Sequence, residues 1–311
     1  MLLRDAGLPG RPRTIGSGYC SVAYRDGGHV LRVLRPGVPD ETVAGYEREP
    51  GLLALLAARG LAVPREARVL RDASGRPLAT LHRYIEGRPA SAAGPGGSAL
   101  RGRARRRLAE EIGGFLAALH RVPAEDALAL GLRSVDLGRE VYAPLVAESL
   151  PDLGPRTRAW VAETLDDFLR EGGSERAPRA LVHGDISPAH LLASPAGALR
   201  GVIDWGDAMV ADPALDLAGL LSGVGRAFRP PFLRRAVASY ARSGPAAALI
   251  AGDPGLRRRI RFYLALEPLY QVRYGWMLGG RAGEEQVESG RRRLAARAAR
   301  SGREAPGSAE E

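Results

Sequence analysis

Three side chains within twenty residues have the types and spacing to move a phosphoryl group. In LVHGDISPAHLLASPAGALRGVIDWGD (181–207), Asp185 stands in a tight polar loop behind His183 and Gly184. His190 follows five residues later, and Asp204, nineteen residues beyond Asp185, closes the apolar run Gly201-Val202-Ile203. In that order, a loop aspartate orients an attacking hydroxyl and takes its proton. A second loop residue and a strand-end aspartate then hold magnesium against nucleotide phosphates. An isolated turn aspartate would carry no such message. An ordinary carboxylate, with a pKa of about 3.9, is a weak base. The expected contribution of Asp185 is therefore to position the hydroxyl, the proton leaving late along a loose transition state. His183 is expected to fix the loop by hydrogen bonds.

Neighbouring residues extend the pattern. His190 offers an imidazole nitrogen, a poorer match to magnesium than an oxygen ligand, and it adds a pH sensitivity. Two alternatives stay open: only one metal site is well formed, or His190 contacts metal-bound water or phosphate. Asp207 would be a supporting carboxylate or would face a substrate amine. Asp212, before Pro213, reads as a helix cap. Asp216 would brace the catalytic loop or lie as a solvated charge.

These groups need a frame. Residues 13–34 read as short strands around glycine turns, with Gly16-Ser17-Gly18 and Asp26-Gly27-Gly28 as punctuation. Backbone N–H groups of the first turn, with the hydroxyls of Ser17 and Ser21 and the amide of Gly18, could touch phosphates. Arg32 on the following strand could pair with the α- and β-phosphates, and Arg35 is a second candidate. Glu49 could hold the Arg32 side chain. A helix is expected from Asp40 to Ala58, split or kinked at Pro50. Ala67–Arg71 and Pro77–Ile85 predict a second hairpin, ending where backbone groups could read a purine edge and Tyr84 could border the ring. Gly87–Gly97 reads as a connecting loop. Beyond it the pattern is helical. Leu108, Ile112, Phe115, Leu116 and Leu119 share one face, as do Val161, Leu165, Phe168 and Leu169. Further helices are expected from Pro213, Pro230, Leu256 and near Glu284.

The chain of 311 residues, 45% hydrophobic, can bury a large core. No apolar run reaches the length of a membrane span. A single cysteine, Cys20, and a charged, proline-containing start predict a cytoplasmic protein. All 45 basic residues are arginine, and the formal charge is +10. The arginines are scattered without interleaved aromatics, so nucleic acid is not the expected partner.

HGDISPAHLL followed by GVIDWGDAMVADPALDLAGLL resembles the aminoglycoside phosphotransferase and choline kinase-like superfamily. GSGYCSVAYRDGGHVLRVLRP resembles its nucleotide loop and next strand, LHRYIEGRPA its hinge, and LAEEIGGFLAALHRV its first large helix. The histidine at 190, the Gly-Asp-Ala after Asp204 and RFYLALEPLYQVRYGWMLGG are similar to the 2″-aminoglycoside group, with macrolide phosphotransferases as near relatives. The resemblance implies an α+β, bilobal protein kinase-like fold: a nucleotide-binding lobe over 1–86, a mostly helical catalytic lobe over 87–300 and a disordered tail over 301–311. It implies Mg2+, ATP or GTP as co-substrate, and an antibiotic-like hydroxyl as acceptor, in a monomer or homodimer. It maps the base onto Asp185, metal ligands onto His190 and Asp204, and the hinge contact onto the Arg83, Tyr84 and Ile85 backbone. Substrate amines would meet Asp207 and Glu267, walled by Tyr270 and Trp276.

Two features depart from the pattern. Arginine stands at 32 where the family often has lysine, and the two cations bind differently. From Leu217 to Glu311 there are 17 arginines and 8 acids, an unfavourable field for a polycation. The alternatives are a macrolide or other natural-product kinase and a nucleotide-binding pseudokinase.

Overall fold

The computed structural model describes residues 10–92, 100–222 and 230–301. Strands β1 (Arg13–Ser17), β2 (Ser21–Asp26) and β3 (His29–Leu34) form a meander. Helix α1 (Asp40–Ala58) follows, then β4 (Arg68–Arg71) and β5 (Pro77–Arg83). All pairings are antiparallel, in the order β1-β2-β3-β5-β4. Strand β3 is therefore central, with Arg32 opposite Ala23 and Thr80. Alternation sends Leu31 and Val33 into a cluster with Ala79 and Leu81, leaving Arg32 on the other face.

Of the expected split or kink at Pro50, the split does not occur: α1 is one helix that runs through Pro50. An interior proline costs about 3 kcal/mol. Burial of Tyr46, Leu52, Leu53 and Leu56 along the same helix outweighs it, at about 1.5–3 kcal/mol per large apolar side chain. The expected loop after residue 86 is also more ordered. It contains β6 (Arg88–Pro89) and a 3-10 turn at Ala90–Ala92; residues 93–97 of that expectation lie outside the described residues.

Helices α2 (Gly102–Leu119), α3 (Ala124–Ala129), α4 (Ala143–Ser149) and α5 (Pro155–Arg170) come next. Four short strands follow: β7 (Ala180–Val182), β8 (Leu191–Ala193), β9 (Leu199–Val202) and β10 (Met209–Ala211). They pair as β10-β7 and β6-β8-β9. The chain ends with α6 (Ala214–Ser222), α7 (Pro230–Arg242), α8 (Pro245–Gly252), α9 (Leu256–Leu266), α10 (Pro268–Leu278) and α11 (Gly280–Ser301). The last begins before Glu284, and the expected tail beyond Ser301 lies outside the described residues.

The chain divides into two compact units. One comprises Met1–Ser134 with Arg179–Asp253, the other Val135–Pro178 with Pro254–Glu311. The expected lobe boundary at residue 86 falls inside the first. In that unit the predicted face of α2 is buried at Leu108, Ile112, Phe115, Leu116 and Leu119. In the second, Phe168 stacks on Phe262 at 3.6 Å and Tyr142 meets the same ring edge-on at 5.0 Å. Glycine lets α10 and α11 touch, since a Cβ on Gly283 would lie 2.3 Å from the Gly275 carbonyl oxygen. No helix among the described residues is long and apolar enough to cross a membrane.

Candidate active site

Strand β7 delivers the chain to His183-Gly184-Asp185, and the loop is tied down from beneath. Asp216 on α6, fully buried, accepts the backbone N–H of His183 at 2.9 Å and that of Gly184 at 3.0 Å. His120, directly after α2, reaches the same carboxylate at 3.2 Å through Nε2, and its Nδ1 lies 2.9 Å from the Tyr240 hydroxyl. Of the two roles weighed for Asp216, the structure has the brace. His120 was not singled out from the sequence; its only signal was its place at the end of an apolar helical face. Gly184 is left-handed at φ +85°, and a Cβ there would lie 2.2 Å from the Asp207 carbonyl oxygen. Only glycine fits both demands.

His183 is fixed as the neutral ring. Its Nδ1 accepts the Asp185 N–H at 3.2 Å, so Nε2 carries the proton donated to the Ile203 carbonyl at 3.0 Å. Burial lowers its pKa, which suits a structural group. His190 is held through its Nδ1 as a donor. Its Nδ1 lies 2.7 Å from the Asp185 carbonyl oxygen, an acceptor only, and so must donate. Nε2 faces Asp204, whose Oδ2 is 3.6 Å away. The Asp185 carboxylate lies 3.6 Å from the other ring nitrogen. Asp185 and Asp204 therefore flank one imidazole.

Asp204 departs from strand β9 into the left-handed region at φ +71°, uncommon for a non-glycine residue. Trp205, buried beside it, anchors the turn by donating Nε1–H to the Val202 carbonyl at 2.9 Å. Arg32 reaches in from β3, donating Nη2–H to Asp204 Oδ1 at 2.5 Å and Nη1–H to Glu49 Oε1 at 2.6 Å. Glu49, on α1, is buried. One guanidinium thus joins the sheet, α1 and the end of β9.

The carboxylates here have different proton affinities. Burial would raise Asp204, but the Arg32 guanidinium, its largest opposing influence, holds it below the usual range. Desolvation by the surrounding protein pushes Asp185 up to about 7, with His190 opposing and Asp207, Asp204 and Asp216 reinforcing. Its side chain still keeps 55% of its surface open to solvent. Asp207 is raised to about 6, by desolvation and then by Asp204. Among the described residues the Asp207 carboxylate has no ion-pair or hydrogen-bond partner.

The glycine turn is held from β3. The Gly18 N–H donates to the Ser21 carbonyl at 2.9 Å. Arg35, one residue past β3, donates Nε–H to the Gly18 carbonyl at 3.0 Å and Nη2–H to Ser17 Oγ at 2.6 Å. At the hinge, the Arg83 N–H is bonded to the Arg65 carbonyl and the Tyr84 N–H to that of Gly28. Ile85 N–H has no such partner among the described residues. The Tyr84 ring is covered by Arg25, whose guanidinium carbon stands 3.6 Å from the ring centroid. Glu267 and Tyr270 belong to the second unit. There Glu267 is paired with Arg293 and, at 3.3 Å, with Arg297, and Tyr270 packs edge-on against Tyr142 at 5.8 Å.

A family profile described as the phosphotransferase enzyme family matches residues 13–251. The chain belongs to that family. Solved structures agree in fold. The GDP complex of wild-type aminoglycoside 2′-phosphotransferase-IIIa superposes with a TM-score of 0.76, at 22% identity over 97% of both chains. The GDP and kanamycin complex of an APH(2″) enzyme gives 0.77, at 23% identity over 96% of both chains. A macrolide 2′-phosphotransferase from Brachybacterium faecium, as apoenzyme, gives 0.66 at 25% identity over 99% of this chain and 98% of its own. These phosphotransferases share the N-terminal antiparallel sheet and the mostly helical remainder. The uncharacterized protein YcbJ of Bacillus subtilis (strain 168) is 32% identical over 107 residues. That match spans 33% of this chain and 33% of the relative.

Proposed function

We propose that this phosphotransferase moves the γ-phosphate of ATP or GTP to a hydroxyl of an aminoglycoside-type small molecule. The observation that carries the reading is the pair Asp185 and Asp204, set at 3.6 Å on either side of His190. Arg32, reaching from the sheet and held by Glu49 of α1, locks the second of them. The acceptor hydroxyl is held by Asp185. As its oxygen bonds to the γ-phosphorus, the bond to the β–γ bridging oxygen breaks, the nucleoside diphosphate leaves, and the proton passes to the Asp185 carboxylate. A carboxylate raised toward 7 takes that proton more readily than an ordinary aspartate.

The donors that face each other for a divalent cation are His190 Nε2 and Asp204 Oδ2, 3.6 Å apart, with His190 oriented through Nδ1 by the Asp185 carbonyl. These two residues would hold Mg2+, which when bound neutralises charge on the phosphates. Ser17, Gly18, Ser21 and Arg32 would meet the phosphates, and the Ile85 N–H is the free hinge donor for the base.

For the acceptor, the unpartnered carboxylate of Asp207 supports an amine-bearing molecule. Glu267 supports a second reading. Its pairing with Arg293 and Arg297 leaves no negative charge there for a polycation, which favours a macrolide or another weakly charged natural product.

The test is an acceptor screen with ATP and GTP against aminoglycosides, macrolides and simple amino alcohols. Acceptor-dependent diphosphate release should fall about 10²–10⁴-fold in Asp185→Asn, with nucleotide binding retained. Nucleotide binding without turnover on any acceptor would count against the enzyme and for a pseudokinase.

A further inference from the structure

We propose that Arg35 is the phosphate-binding cation of the nucleotide loop, holding the Ser17-Gly18 turn with one edge of its guanidinium and a nucleotide phosphate with the other. This rests on the nucleotide reading above and assigns a role that Arg32 alone does not fill.

The charge balance motivates it. Arg32 carries one positive charge and is bonded to two carboxylates, Glu49 at 2.6 Å and Asp204 at 2.5 Å. Asp185 adds a further carboxylate on the other side of the same imidazole. A polyphosphate entering there meets a net-negative cluster and needs a cation that is not already spent. Among the described residues, Arg35 has no carboxylate within ion-pair distance. Its Nε and Nη2 are committed to the Gly18 carbonyl and Ser17 Oγ, and its Nη1 has no protein acceptor among the described residues.

Arginine suits this double task for a geometric reason. Its five N–H donors lie in one plane and point along two edges, so it can grip a loop and an anion at once. Lysine presents a single charged point and would have to choose. The loop is short and fixed to Arg35 a second time, through the Arg35 N–H and the Cys20 carbonyl at 2.8 Å. The guanidinium therefore stays with the turn.

A bracing residue alone and a phosphate cation predict different binding. Calorimetric titration with ADP and adenosine, or GDP and guanosine if the protein prefers guanine, separates them. In Arg35→Ala the diphosphate should bind about tenfold more weakly, the loss of one charge-assisted contact, with nucleoside affinity unchanged. Arg35→Lys should recover part of the loss, since charge returns without the fork. Thermal melting of each variant checks that the fold is intact. Equal affinity for ADP in wild type and Arg35→Ala overturns the inference. Equal weakening of ADP and adenosine also overturns it, because a loop staple would do that. If wild type binds neither ADP nor GDP, the nucleotide reading itself fails and this inference falls with it.

Discussion

The guanidinium of Arg32 meets the carboxylate of Asp204 across 172 residues of chain, Nη2 to Oδ1 at 2.5 Å. The same group neutralises Glu49, whose side chain is only 2% exposed. Removing the cation would leave one carboxylate buried without a counter-charge. Arg32→Ala should therefore lose about 3–5 kcal/mol of stability, the range for breaking a buried pair from one side. Arg32→Lys should lose less, because one carboxylate stays paired. Urea unfolding of the two variants checks the order; equal midpoints for wild type and Arg32→Ala would show that the pair contributes nothing.

Asp216 makes the second prediction. Its oxygens receive the backbone N–H groups of His183 and Gly184 and meet the His120 ring. In Asp216→Asn the amide keeps one acceptor and turns an N–H2 group toward donors. Stability should drop by about 1.5–3 kcal/mol, the cost of hydrogen bonds to a buried charge. Turnover should fall further than stability explains, since Asp185 loses its seat. Comparing kcat well below the melting temperature with nucleotide affinity separates the two effects: the first should fall and the second hold.

His190 should shape the choice of cation. An imidazole nitrogen favours manganese or cobalt over magnesium more than an amide oxygen does. His190→Asn should shift the preference toward magnesium. The ratio of turnover with Mn2+ to that with Mg2+, measured for both proteins, is the readout. A ratio unmoved by the substitution would remove His190 from the ligand set.

The sequence made the order of elements legible because glycine turns and apolar periods are local signals. The β1–β3 meander, the hairpin of β4 and β5, and the buried face of α2 all follow from spacing within a few residues. The continuity of α1 did not, because the local cost of Pro50 is overruled by burial that depends on the rest of the fold. The same limit applies at the site. Asp185, His190 and Asp204 could be picked out by their mutual spacing. Asp216 was open to a bracing role, but its contact with His120 spans 96 residues with no periodic relation between them. Glu267 looked like a carboxylate available to substrate, but its arginines come from α11, 26 and 30 residues on. Charge pairing of that kind becomes visible only once helices are packed.

His82 gives the protein an acid-sensitive core. It is buried, and its Nδ1 donates to the Arg83 carbonyl at 2.9 Å. Desolvation, with smaller repulsion from Arg32 and His29, lowers its pKa from 6.5 to about 4. The folded state therefore prefers the neutral ring, while the unfolded chain takes up a proton from pH 6.5 downward. Between about pH 6.5 and 4 the unfolded state binds more protons, so stability must fall as pH falls through that window and level off below it. The shift corresponds to about 3 kcal/mol when fully expressed. A His82→Gln variant, which keeps a polar group but cannot titrate, should show a flatter dependence of unfolding free energy on pH over the same range. Parallel curves for the two proteins would place the acid sensitivity elsewhere.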